Sequence, residues 1–163
     1  MQKEPMSEED YKFITESLNE MKLVKRPKIL EAIEEARQLG DLKENAEYHA
    51  AKEDQANINK KIAELEDLIT RVVIIDPASL PHDKVSFGST VKLIDVDTED
   101  EIAYTIVSSA NSDPDSGKIS FHSPLAKQLL GKAEGDEFTA KLPGGQKDYE
   151  VEEVYFDKER FSK

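Results

Sequence analysis

Asp41 and Glu44 stand three residues apart in a short polar segment, Gly40-Asp41-Leu42-Lys43-Glu44, that separates two stretches of helical periodicity. Carboxylates at that spacing do one of two things. As a capping box, with Asp41 at the N-cap and Glu44 at N3, they would satisfy free backbone donors at the start of the second helix, worth about 0.5–2 kcal/mol. As ligands, they would offer hard oxygen donors to Mg2+, an ion that keeps several waters and shares its remaining positions with phosphate oxygens. An exposed pair cannot enclose an ion alone, so the metal reading requires a second macromolecule to complete the ligand set. On spacing alone both readings stay open.

A helical hairpin must position the pair. Ser7 to Asp76 contains one proline and one glycine, whereas the following 87 residues hold five prolines and six glycines, so a helical half precedes a strand-rich half. Ser7 with Asp10 reads as an N-cap with an acidic first turn, and Tyr11, Ile14, Leu18 and Met21 recur at helical steps. Pro27, within Lys25-Arg26-Pro27-Lys28, predicts a kink, with helix resuming through Ile29, Ile33 and Ala36 to Leu39. Gly40 is placed at C′ of this first helix. In the second, Tyr48, Ala51, Gln55, Ile58, Ile62, Leu65, Ile69 and Val72 alternate steps of 3 and 4, a coiled-coil seam. The short connection makes the helices antiparallel neighbours. The 31 residues from Glu44 to Ile74 would span about 46 Å at about 1.5 Å per residue. A rod that buries one narrow seam serves reach rather than enclosure.

Past Asp76-Pro77 the runs 89–96, 102–109, 118–122, Glu137–Leu142 and 149–156 are rich in Val, Ile, Thr, Phe or Tyr and read as strands. Turns are supplied by Pro143-Gly144-Gly145 and by the segment 111–117, whose Asn111-x-Asp113-x-Asp115 lacks the glycine and glutamate positions of a calcium loop. Ser123 as cap, Pro124 at the first position and Gly131 after the end predict one short helix. The fold class is therefore α+β: an antiparallel two-helix coiled-coil hairpin over 1–76, then a small antiparallel β domain with one short helix over 77–163.

Composition narrows the chemistry. The absence of cysteine excludes disulfides, zinc ribbons and thiol catalysis. With 22 Lys plus Arg against 35 Asp plus Glu, the net charge of −13 gives no general attraction to DNA or to an anionic membrane, so a polynucleotide contact must be local. The longest aliphatic run, Val72-Val73-Ile74-Ile75, is too short to cross a bilayer, and the first six residues lack an apolar stretch, which points to the cytoplasm. Near the tip, Arg37 and Lys52 flank the carboxylates from opposite helices; Lys22, Lys25, Arg26 and Lys28 read as a solvated face. Tyr48 falls on the seam, and His49 reads as a surface residue.

The stretch 40–53, GDLKENAEYHAAKE, resembles the tip signature of the bacterial Gre-type transcript cleavage and elongation factors. The resemblance continues through Lys25-Arg26-Pro27, Phe87-Gly88-Ser89-Thr90-Val91, Ser123-Pro124 and Pro143-Gly144-Gly145, covering about 6–155. It implies a monomer that binds bacterial RNA polymerase, inserts its hairpin through the secondary channel and stimulates Mg2+-dependent cleavage of backtracked RNA near its 3′ end. By position, Asp41 and Glu44 are then the acids that share a Mg2+ with the polymerase. Arg37, Lys52, Asn45 and Tyr48 lie where the family meets the RNA. The second domain is expected to be FKBP-like, with Phe121, His122, Ser123 and Pro124 in the polymerase-docking region. Lysine at 52 replaces an expected arginine and lacks its bidentate fork. On this reading the chain is no enzyme by itself. A non-catalytic channel inhibitor and an FKBP-like chaperone with a helical arm are the competing classes, and the intact Asp41-Leu42-Lys43-Glu44 argues against the first.

Overall fold

The computed structural model describes residues 2–40 and 44–162, which divide into two compact units. One holds Glu8–Val72; the other holds 73–162 together with Glu4–Ser7, residues that the sequence reading grouped with the hairpin.

In the first unit, α1 (Glu8–Glu20), a π-helical stretch (Met21–Lys25) and α2 (Arg26–Arg37) run antiparallel to α3 (Ala46–Arg71). Every residue of the expected α3 seam is buried or half-buried, with Ala51, Ile58 and Ile62 the deepest. Leu18, Ile58 and Ile62 form the central cluster, flanked by Met21, Ile29, Leu65 and Ile69. Lys22 Nζ reaches Glu66 Oε1 across the seam at 3.2 Å.

Two local expectations are corrected, and a third gains detail. Just before Pro27, where a kink is expected, the chain forms the π stretch: Arg26 N–H reaches back five residues to the Met21 carbonyl, and both Lys25 and Arg26 keep right-handed helical angles (φ −68, ψ −47 and φ −62, ψ −45). The hydrogen-bond register thus shifts where proline has no donor to give, and the helix passes through. The first helix ends at Arg37 rather than Leu39, with Gln38 as its C-cap, so Gly40 (φ +122) lies one position beyond C′. The second begins at Ala46 with Asn45 as its N-cap and ends at Arg71; its 26 residues span about 39 Å. Glu44 therefore precedes the cap instead of occupying N3, which removes the capping-box reading of Asp41 and Glu44.

In the second unit, β1 (Glu4–Met6) pairs with β2 (Val72–Ile74), and five strands are ordered β5-β4-β3-β7-β6: β3 (Thr90–Asp95), β4 (Glu101–Val107), β5 (Lys118–Ser120), β6 (Glu137–Leu142) and β7 (Gly145–Tyr155). The sheet is mixed rather than wholly antiparallel. Between β4 and β5 the chain makes two 3-10 turns, Ser109–Asn111 and Pro114–Ser116, and leaves the second through Gly117 at φ +77, so β5 returns parallel to β4. β7 begins four residues earlier than expected, because the polar residues 145–148 pair with β6 across the Pro143-Gly144 turn. The short helix α4 (Pro124–Leu129) forms as expected, with Ser123 Oγ accepting the Ala126 N–H at 3.2 Å. It buries Ala126 and Leu129 against Val91, Leu93, Ile106, Ala140 and Val151, all 0% exposed. A last helix, α5 (Lys158–Ser162), follows. No described helix is long and apolar enough to cross a membrane.

Candidate functional site

The hairpin tip is built from the end of α2 and the start of α3. Asp41 lies outside the described residues. Glu44 is exposed and sits one residue before the cap, outside α3. Asn45 secures that loop from below: its Oδ1 accepts the Tyr48 N–H at 3.0 Å, and its Nδ2 donates to the Ala36 carbonyl at 2.6 Å. One side chain thereby serves a free donor of α3 and a terminal carbonyl of α2.

The other tip residues divide by exposure. Arg37 closes α2 and is exposed; Lys52 is exposed on α3, its Nζ donating to Gln55 Oε1 at 3.0 Å. Tyr48 is half-buried on the seam, with its ring edge-on to exposed His49 at 5.7 Å. The sequence reading did not single out Leu39 or Glu47. Leu39, 67% exposed, shares a shallow depression with Glu44, Asn45, Ala46 and Glu47. Its signal was an apolar residue placed just beyond a helix end. Among the described residues no three His, Asp or Glu side chains converge on one point. The donor chemistry of the tip, exposed carboxylate oxygens with open surroundings, fits part of a Mg2+ coordination sphere and not a closed site.

In the second unit, Phe121, His122 and Ser123 are half-buried and Pro124 is exposed. Phe121 packs on the core with its ring 6.5 Å from that of Phe87, and its N–H donates to the Val107 carbonyl at 2.8 Å. His122 stands perpendicular to Phe121 at 5.3 Å, and its Nε2 lies 2.7 Å from Glu4 Oε2. That contact is a close approach and not an aligned hydrogen bond. Phe121 thus packs against the core, and Ser123 caps α4 with Pro124 at its first position.

A two-helix arm with an acidic tip, followed by a small mixed sheet, defines the class. Residues 4–74 match the family model described as transcription elongation factor, N-terminal, and residues 80–156 match transcription elongation factor, GreA/GreB, C-term. The chain belongs to the GreA/GreB family of transcription elongation factors. It is 55% identical to transcription elongation factor GreA of a Nitratiruptor species over 160 residues, 98% of each chain. To its counterpart in Aliarcobacter butzleri it is 56% identical, over 96% of this chain and 97% of that one. The crystal structure of GreA factor homolog 1 (Gfh1) from Thermus thermophilus aligns over 94% of this chain and 99% of its own at 26% identity, with a TM-score of 0.45.

Proposed function

We propose that this elongation factor acts on bacterial RNA polymerase by inserting the α2–α3 tip through the secondary channel and stimulating the polymerase's own cleavage of backtracked RNA. The observation that carries the reading is the presentation of Glu44: an exposed carboxylate beside Asp41 in sequence, at the end of a narrow arm, on a loop tied down by Asn45. An arm about 39 Å long reaches a reaction centre that a globular surface cannot enter.

Asp41 and Glu44 would hold part of the coordination sphere of a Mg2+ whose other ligands belong to the polymerase. When bound, that ion supplies charge neutralisation and an activated water for in-line phosphodiester hydrolysis. Arg37 and Lys52 offer the displaced RNA 3′ segment two positive charges, a local and salt-sensitive hold suited to short backtracks. Asn45 keeps the loop in place, and Tyr48 supports it from the seam. Phe121, His122, Ser123 and Pro124 form the docking segment. The chain works as a cytoplasmic monomer and has no nuclease activity apart from the polymerase.

End-labelled RNA in a halted, backtracked elongation complex with Mg2+ tests this. Short 3′ fragments should appear with the wild type and be lost with Asp41→Ala, Glu44→Ala, while both proteins bind. If neither yields fragments yet both slow elongation, the factor is a channel blocker and the tip acids have no chemical role.

A further inference from the structure

Glu4 is a carboxylate only 4% exposed, on a three-residue strand that does not need it for anchorage. Met6, 1% exposed, buries that strand, and the Met6 carbonyl accepts the Ile75 N–H at 2.9 Å. Burying a carboxylate is costly unless its oxygens are matched, and here each has a polar neighbour. Oε1 accepts the Ser109 N–H at 3.1 Å, and Oε2 lies 2.7 Å from His122 Nε2. Ser109 Oγ meets Ser120 Oγ at 3.0 Å, and Ser120 Oγ accepts the His122 N–H at 3.1 Å. The four residues close a ring: Glu4, Ser109, Ser120, His122 and back to Glu4.

A buried carboxylate–imidazole contact of this kind adds little net stability, so what it supplies is position. The ring fixes the His122 imidazole and the turn at 120–123, where Ser123 N–H donates to the Ser120 carbonyl at 2.9 Å. We infer that Glu4 is a positioning residue for the docking segment: through His122 it presets 121–124 in the shape that a partner protein receives. The inference rests on the docking role proposed above for that segment. A preset segment loses less freedom on binding, so the benefit falls on affinity and not on the chemistry at the tip.

The test is a cleavage titration on backtracked complexes with wild type, Glu4→Gln, His122→Gln and the double variant, each checked for folding by circular dichroism. Glu4→Gln keeps the volume and an acceptor for Ser109 while removing the charge. It should raise the half-saturating factor concentration about tenfold, as expected when side chains of the segment must be ordered on binding, with the maximal rate unchanged. In the His122→Gln background the same change should add nothing further. The His122 side-chain 15N signals should shift in Glu4→Gln. A wild-type half-saturation for folded Glu4→Gln, or equal losses in both backgrounds, would overturn the inference. Failure of the wild type itself to bind polymerase would instead sink the docking reading beneath it.

Discussion

The Asn45 side chain donates from Nδ2 to the Ala36 carbonyl at 2.6 Å, joining the two helices of the arm just below the acidic loop. The same carbonyl also accepts the Leu39 N–H at 3.1 Å, so the end of α2 and the start of α3 share one acceptor. Asn45→Ala removes both the cap of α3 and this tie. The cap alone is worth about 0.5–2 kcal/mol. Asn45→Ser keeps an N-cap oxygen and loses only the tie. Thermal melts should rank wild type above Asn45→Ser above Asn45→Ala. Cleavage at saturating factor should fall in that same order, because the loop holding Glu44 loses its fixed base.

Gly88 allows a close passage that no other residue can make. Its φ of +89 lies in the left-handed region, and a Cβ there would stand 2.3 Å from Pro77 Cβ. Gly88→Ala should cost about 2–5 kcal/mol, the sum of backbone strain and overpacking. Denaturant unfolding of the variant, read by the tyrosines of the second unit, checks this; a change below about 1 kcal/mol would mean that Pro77 moves aside.

β6 is an edge strand, and Gln128 of α4 protects part of it. Its Oε1 accepts the Lys141 N–H at 2.8 Å and its Nε2 donates to the Lys141 carbonyl at 2.9 Å, as a neighbouring strand would. Gln128→Glu keeps the acceptor and sets a second oxygen against the Lys141 and Pro124 carbonyls. The expected loss is about 0.5–1.5 kcal/mol. Faster hydrogen exchange at the Lys141 amide is the local signature.

Burial raises the phenols of Tyr104 and Tyr149 above their ordinary 10.0. The charge of Tyr149 adds to the effect at Tyr104 and Lys147 partly offsets it, while Asp95 adds to the effect at Tyr149. The unfolded chain then ionises first. The contribution is present in full below about pH 10 and is lost as pH climbs through the raised folded values. Melting temperature should decline above that pH, and Tyr104→Phe should make the decline shallower.

The seam of α3 was legible because 3-and-4 spacing reports the buried face of a helix directly: the seven seam positions inside α3 are all buried or half-buried, while Val72 begins β2. The start of α3 was not, since Asp41 and Asn45 are both good caps and spacing does not rank them. Strand β1 escaped notice for a different reason. Glu4-Pro5-Met6 is three residues long and carries a charge and a proline, and what makes it a strand is pairing with β2 far along the chain. The tip acids were legible by residue type and by resemblance. The Glu4–His122 contact was not, because it is made by tertiary folding between residues that share no pattern.

The π stretch at Met21–Lys25 has a further effect on the arm. Each residue of an α-helix turns the chain by about 100°. The π stretch takes up one surplus residue in a wider turn, so Met21 at its start and Ile29 beyond it stay on the same seam. Forced into ordinary α pairing with that residue retained, Ile29, Ile33 and Ala36 would swing about 100° off α3, and the tip with them. The wider turn therefore preserves the compass bearing at which the far end of the arm meets a target.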